Sequence, residues 1–313
     1  MKTLVIGAGS IGGYFGARML QAKRDVTFLV REARAKRLKE HGLMVKSVAG
    51  DFTIAEPPVV TAGNILAPYD LIILTCKAYD LAGAIADFAP AVGPKTRIIP
   101  LLNGMSHLDA LDQRFGAEHV LGGLCAISTT LDGEGRIHHM SPFQSLTFGL
   151  RQKDSDGIFE EVKATLGNAG FDAMPSDKIM QEMWEKWLFI AALGSATGLM
   201  RATVGDIIAA GAKHISSGLF AECSAIAAEN GFPPSAAGAE RGLTVMTTEG
   251  SLLTASMMRD IENKNPIEAD HIVGDLLKRG SDNEARRPLL LTAYAHLKSY
   301  EARRARELAT KKS

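Results

Sequence analysis

Net charge, cysteine pairs and long apolar runs are all missing from this sequence, and each absence narrows what the chain can be. Lys plus Arg and Asp plus Glu both total 35, so no global basic field draws it to nucleic acid or to an anionic membrane, and neither is expected as a partner. Cys76, Cys125 and Cys223 stand far apart without CxxC spacing. That pattern excludes a disulfide framework and fits reduced thiols in a cytoplasmic protein. The longest uncharged apolar run, Trp187 to Met200, is too short for a bilayer span. No signal peptide is expected, because Leu4-Val5-Ile6 runs straight into glycines. The histidines form no ligand set: His138 and His139 are adjacent, so on a strand they face opposite ways, and no metal is expected. Arg303, Arg304, Arg306, Lys311 and Lys312 are interspersed with Glu301 and Glu307 and read as a solvated last helix turn and a frayed end.

What is present suits two domains, since 313 residues exceed one ordinary core. In the first half, strand-sized apolar runs (Thr3–Ile6, Val26–Val30, Leu71–Leu74, Arg97–Leu101, His119–Leu124) alternate with segments of helical spacing (Ile11–Gln21, Arg31–Glu40, Leu81–Phe88). This predicts βαβ units and a mostly parallel sheet. Leu43–Ile54, split by Ala49-Gly50-Asp51, reads as a hairpin inserted into that sheet. Arg136–His139 and Ser145–Phe148, split by Ser141-Pro142, read as a second hairpin. From Ser176 onward the spacing is that of helices, broken at Gly231-Phe232-Pro233-Pro234 and at Asn265-Pro266. The expected architecture is an α/β Rossmann-like doubly wound sheet over residues 1–175, followed by an all-helical C-terminal domain over 176–313.

Gly7-Ala8-Gly9-Ser10-Ile11-Gly12 is a GxGxxG motif directly after a strand and at the opening of a helix. The first glycine permits the tight turn, the second lets the backbone approach a pyrophosphate, and the third allows close helix–strand packing. Glycine-rich turns are common, so the strand before it and the helix after it give the motif its weight. An NAD-binding sheet needs an acidic residue at the end of its second strand. Here Val26–Val30 ends in Arg31, with Arg34 and Lys36 following. A guanidinium suits a 2′-phosphate, so NADP (NADPH) is the expected cofactor. The competing reading gives Glu32 the NAD-type role and leaves Arg31 solvated.

Two short polar motifs follow apolar runs, where a wound sheet presents its ligands: Thr75-Cys76-Lys77 and Asn103-Gly104-Met105. Lys77 can touch cofactor or substrate and Asn103 can bond a ribose or a substrate oxygen, or each is an ordinary loop residue. Lys186 lies between Trp184 and Trp187 in an apolar segment. It either snorkels or is held partly desolvated as a proton donor. On a helix, Lys186, Ile190 and Gly194 share one face. Ser256 and Asp260, one helical turn apart, and Glu268 form a further polar cluster, with helix-surface residues near Pro266 as the plain alternative.

In this order and spacing, the glycine loop, Arg31, Thr75-Cys76-Lys77-Ala78, Asn103-Gly104-Met105, Trp184-Glu185-Lys186 and Ser256-Met257-Met258-Arg259-Asp260 with Glu268 resemble the ketopantoate reductase (2-dehydropantoate 2-reductase) family. The resemblance runs from the first strand to about Arg304. It implies a Rossmann domain and a helical domain with the active site between them, and NADPH-dependent reduction of ketopantoate to pantoate, a step of pantothenate biosynthesis. Carried over, Lys186 matches the general acid and Glu268 a glutamate near the nicotinamide and the reacting oxygen. Ser256 matches a ligand of the substrate carboxylate, Asn103 an asparagine between nicotinamide ribose and substrate, Lys77 a cofactor-site lysine, and Arg31 the 2′-phosphate ligand. Many members carry asparagines four and eight residues after the lysine, where this chain has Ile190 and Gly194. Ser195, Thr197 or water would have to replace those amides. The alternatives are a reductase of another branched 2-oxo acid and a non-catalytic NADP(H)-binding regulator. A sensor needs only the Rossmann half, so the joint presence of Lys186, Ser256 and Glu268 weighs against the regulator. The expected partner is a small 2-oxo acid, and a homodimer stays open.

Overall fold

Thr3–Ile6 is buried at every position, which requires a strand covered on both faces. It forms β1, the centre of a five-stranded parallel sheet. The computed structural model describes residues 1–153, 156–281 and 286–310; Lys311 and Lys312 lie outside them. Contacts along the chain gather it into two units, one of Met1–Leu102 with His107–Met180, the other of Asn103–Ser106 with Gln181–Ser313.

In the first unit β1 is followed by α1 (Ser10–Gln21), β2 (Val26–Leu29), α2 (Glu32–His41), β3 (Leu43–Ser47), β4 (Phe52–Ile54), β5 (Val59–Val60), β6 (Tyr69–Leu74), α3 (Leu81–Phe88) and β7 (Val92–Pro100). The parallel sheet has the order β5-β2-β1-β6-β7. The chain leaves β1 towards β2 on one side and returns as β6 on the other. The switch point, where such sheets bind ligands, therefore lies between the carboxyl ends of β1 and β6.

A second sheet departs from the sequence reading. After α4 (Ser106–Phe115) come β8 (Gly122–Leu131), β9 (Ile137–Gly149), α5 (Ile158–Leu166) and β10 (Asp172–Pro175). The order is β10-β9-β3-β4, with β8 also on β9. β3 and β4 do form an antiparallel hairpin, but β3 pairs with β9, outside the parallel sheet. Ile137–Gly149 is one strand rather than a hairpin: both halves pair with β8, and the residues around Ser141-Pro142 bulge between Thr129↔His139 and Ile127↔Gln144. Proline offers no N–H to a ladder and belongs at such a bulge. His119–Leu124 is likewise not a strand of its own. Val120 makes an isolated bridge to Ile98 of β7, and β8 starts two residues later.

Helix α1 packs against both sheets through its smallest residues. A Cβ at Gly16 would stand 2.5 Å from the Phe28 ring of β2, and one at Gly13 would stand 2.5 Å from Ile137 Cδ1 of β9. Phe15 and Phe28 are fully buried there, each contributing about 1.5–3 kcal/mol of transfer free energy.

The second unit holds α6 (Ile179–Met200), α7 (Val204–Ala209), α8 (Lys213–Glu229), α9 (Ala236–Met246), α10 (Ser256–Glu262), a π-helical turn (Asp270–Gly274), α11 (Asp275–Arg279) and α12 (Pro288–Thr310). The two sequence breaks fall at the α8–α9 connection and between α10 and the π-helical turn. Trp184 stacks on Phe232 with ring centroids 5.4 Å apart, so the first break is packed against α6. Among the described residues no helix is long and apolar enough to cross a membrane.

Candidate active site

The glycine loop stands at the switch point. Gly7 takes φ +92, a left-handed backbone that only glycine adopts without strain, and its N–H donates to Leu29 O at 2.9 Å. A Cβ on Gly12 would overlap the Thr75 hydroxyl and the Gly7 carbonyl oxygen. Thr75 in turn donates to Ile6 O at 2.8 Å, so the residue after β6 fastens the end of β1. Gly9 is the N-cap of α1, without a side-chain cap, and a Cβ there would meet nothing within 4 Å. Uncapped N–H groups at a helix start, with open space before them, fit the pyrophosphate of a dinucleotide. Ala8, Ser10 and Ile11 complete the loop.

The cationic residues around this loop divide into two kinds. The Arg31 side chain is 81% exposed and pairs with Asp80 at 2.7 Å. Lys77 is exposed and caps the short helical turn that ends in Asp80. Arg34 points inward instead: its Nε donates to Ala8 O at 3.1 Å and its Nη1 to Gly135 O at 3.1 Å. Burial, then the charge of Arg37, lower its pKa from the ordinary arginine value. Arg34 therefore braces the glycine loop, and Lys36 sits 4.0 Å from Glu40.

The second unit carries the other candidates. Lys186 lies on α6, half-buried, and its ammonium makes no hydrogen bond or ion pair with any described residue. Its neighbour Trp187 is 1% exposed and donates from Nε1 to Ile272 O at 2.9 Å. That bond ties α6 to the π-helical turn directly after Glu268, whose side chain is buried. Asn103 is half-buried and Ser256 is exposed at the first position of α10. Glu185, beside Lys186, is structural: its Oε1 accepts from Ser235 N at 2.8 Å at the start of α9. Asp260 is half-buried one turn after Ser256.

Sequence reasoning passed over His271. In sequence the histidines are visible only as possible metal ligands, and among the described residues no group of three or more His, Cys, Asp or Glu could hold a metal. His271 nonetheless lies three residues after Glu268 and within 2.8 Å of Ser106 Oγ through its Nδ1. A polar ring in an apolar helical segment, at that offset from Glu268, was the available signal.

Comparison with known proteins covers both units. Residues 3–153 match the family model for ketopantoate reductase PanE/ApbA, and residues 178–301 match the model for its C terminal domain. The chain is 36% identical over 303 residues to the uncharacterized oxidoreductase YkpB of Bacillus subtilis (strain 168), covering 96% of this chain and 99% of that one. The crystal structure of 2-dehydropantoate 2-reductase from Geobacter metallireducens GS-15 superposes with a TM-score of 0.84 at 25% identity, over 96% of this chain and 99% of that one. The fold is also that of D-mandelate dehydrogenase, solved with NADH and anilino(oxo)acetate, with a TM-score of 0.83 at 21% identity over 96% and 100% of the two chains. With its two-part fold and both halves of the family model in place, this chain belongs to the ketopantoate reductase PanE/ApbA family of oxidoreductases.

Proposed function

We propose that this chain is an NADPH-dependent reductase of 2-oxo acids, with ketopantoate as the first substrate to test. The observation that carries the reading is Lys186: a half-buried lysine with no ion-pair partner among the described residues, on a helix bonded through Trp187 to the turn after Glu268.

When bound, the nicotinamide supplies a hydride to the 2-carbon of the substrate. The backbone of Gly7, Ala8, Gly9, Ser10, Ile11 and Gly12 holds the pyrophosphate, Arg31 meets the 2′-phosphate, and Lys77 adds a second cation. Asn103 bonds the nicotinamide ribose and, with Ser256, the substrate carboxylate. The Lys186 ammonium attracts the carbonyl oxygen as negative charge develops on it and then gives it a proton, forming the 2-hydroxy acid. Lys186 regains a proton from solvent. Glu268 would face the nicotinamide end of the cofactor and the reacting oxygen.

A second reading, a reductase of a different branched 2-oxo acid, is favoured by Gly194. A Cβ there would stand 2.8 Å from Met257 Cε, so an asparagine at this position would have to displace the flexible end of the Met257 side chain. Nor does Thr197 stand in for an amide, because its hydroxyl donates to Leu193 O at 2.7 Å and accepts from Ala255 N. Ser195 is fully buried, its hydroxyl without a partner among the described residues. Turnover of a panel of 2-oxo acids with NADPH and with NADH separates the two readings. The best kcat/KM with ketopantoate supports the first, and a better one with an unhydroxylated branched acid supports the second. No turnover of any 2-oxo acid would contradict both.

A further inference from the structure

The roles proposed above for Asn103 and Glu268 require both groups to be held in place, and His271 touches the surroundings of each. It stands on the π-helical turn Asp270–Gly274, three residues beyond Glu268. Such turns are rare and occur often at functional positions. The ring is half-buried, and its Nδ1 lies 2.8 Å from Ser106 Oγ. The Asn103 backbone and the Glu268 carboxylate both act on the ring in favour of its charged form. His271 also fills the space that a side chain at position 104 would need. A Cβ on Gly104 would stand 2.8 Å from the His271 carbonyl oxygen, and 3.0 and 3.2 Å from ring atoms Cδ2 and Nε2. Gly104 has φ +80, so backbone conformation and close packing both demand glycine there.

From this geometry we propose that His271 is a positioning residue for the reaction: it clamps the Asn103–Gly104 turn against the segment that carries Glu268. The clamp rests on the roles given to Asn103 and Glu268 under the proposed function. A neutral imidazole suits it, because its Nδ1 can then either donate to the Ser106 hydroxyl or accept from it. Burial favours this neutral form and Arg279 adds to the effect; Glu268, the Asn103 backbone and Asp275 pull the other way without overcoming it. No proton of the reaction passes through His271.

The test is dinucleotide affinity, measured by calorimetry without any 2-oxo acid, for the wild type, His271→Ala, Asn103→Ala and the double variant. Residues that act as one unit give non-additive losses. His271→Ala is expected to weaken NADPH binding by about the factor that Asn103→Ala does, on the order of tenfold or ~1.4 kcal/mol. The double variant is expected to be no weaker than Asn103→Ala alone. His271→Gln, which keeps a donor and an acceptor, is expected to recover most of the loss. Unchanged affinity in His271→Ala, or losses that multiply in the double variant, would overturn the clamp. Should His271→Ala not fold, Ser106→Ala replaces it in the cycle with the same non-additivity expected, and full affinity in Ser106→Ala would equally overturn it. An Asn103→Ala variant with full affinity would instead remove the role of Asn103 on which the clamp rests.

Discussion

Arg31 Nη2 donates to Asp80 Oδ1 at 2.7 Å, so the guanidinium at the end of β2 is held by the turn that follows β6. Both side chains are open to solvent, at 81% and 39% exposure. An exposed pair of this kind is worth only about 0–1 kcal/mol, so a phosphate dianion offering a bidentate partner can displace the carboxylate.

Arg31→Ala is therefore expected to lower kcat/KM with NADPH by about tenfold or more, equivalent to ~1.4 kcal/mol, and to leave NADH almost unchanged. Asp80→Ala, which frees the guanidinium, is expected to strengthen NADPH binding. Steady-state kinetics with both cofactors check this. Equal losses for NADPH and NADH in Arg31→Ala would show that the residue does not read the phosphate.

Gly9 and Gly12 separate packing from binding. Space is open at Gly9, whereas a Cβ at Gly12 overlaps Thr75 and the Gly7 backbone. Gly12→Ala is expected to cost about 1–3 kcal/mol of stability, as overpacking does. Gly9→Ala is expected to stay within about 0.5 kcal/mol of wild type in urea unfolding and still bind dinucleotide more weakly. Normal dinucleotide affinity in Gly9→Ala would place the pyrophosphate elsewhere.

Acid should weaken the fold through His271. Burial lowers its folded-state pKa below the ordinary histidine value of 6.5. The unfolded chain therefore takes up that proton first as pH falls, and the contribution of His271 to stability, complete above 6.5, is lost below it. Urea unfolding of the wild type from pH 7.5 to 5.5 is expected to show a steeper decline than that of His271→Gln. Parallel declines would contradict this.

The face that follows Lys186 on α6 predicts the treatment of a distal hydroxyl. With Ile190 on it and Gly194 closed by Met257, an analogue of ketopantoate without its 4-hydroxyl is expected to react within about tenfold of ketopantoate. A site that hydrogen-bonds the hydroxyl would reject the analogue by about 10⁴-fold. Ile190→Asn is expected to raise the preference for ketopantoate. Gly194→Asn is expected to lose stability, because Met257 must move.

Where local sequence determines the structure, the two agree. Thr3–Ile6 and the glycine loop are specified by apolar residues and by turns that only glycine makes, so β1, α1 and the switch point were legible. The second sheet was not, because its pairings join residues far apart. Nothing local distinguishes Ser141-Pro142 as a bulge in one strand from the same pair as the tip of a hairpin, and only the partner strand β8 decides. The same holds in the site. Lys186 stands out as a charge in an apolar run, whereas the assignment of Arg34 to the Ala8 carbonyl and of His271 to Ser106 depends on contacts across 26 and 165 residues.

Single-turnover reduction of a 2-oxo acid by the Lys186→Ala variant, followed at 340 nm with NADPH affinity measured in parallel, tests the central claim most directly. General acid catalysis of this kind is worth about 10²–10⁴-fold, so the rate is expected to fall by that factor while NADPH binds as it does to the wild type. A near-normal rate would contradict the account and leave Lys186 as an ordinary helix lysine.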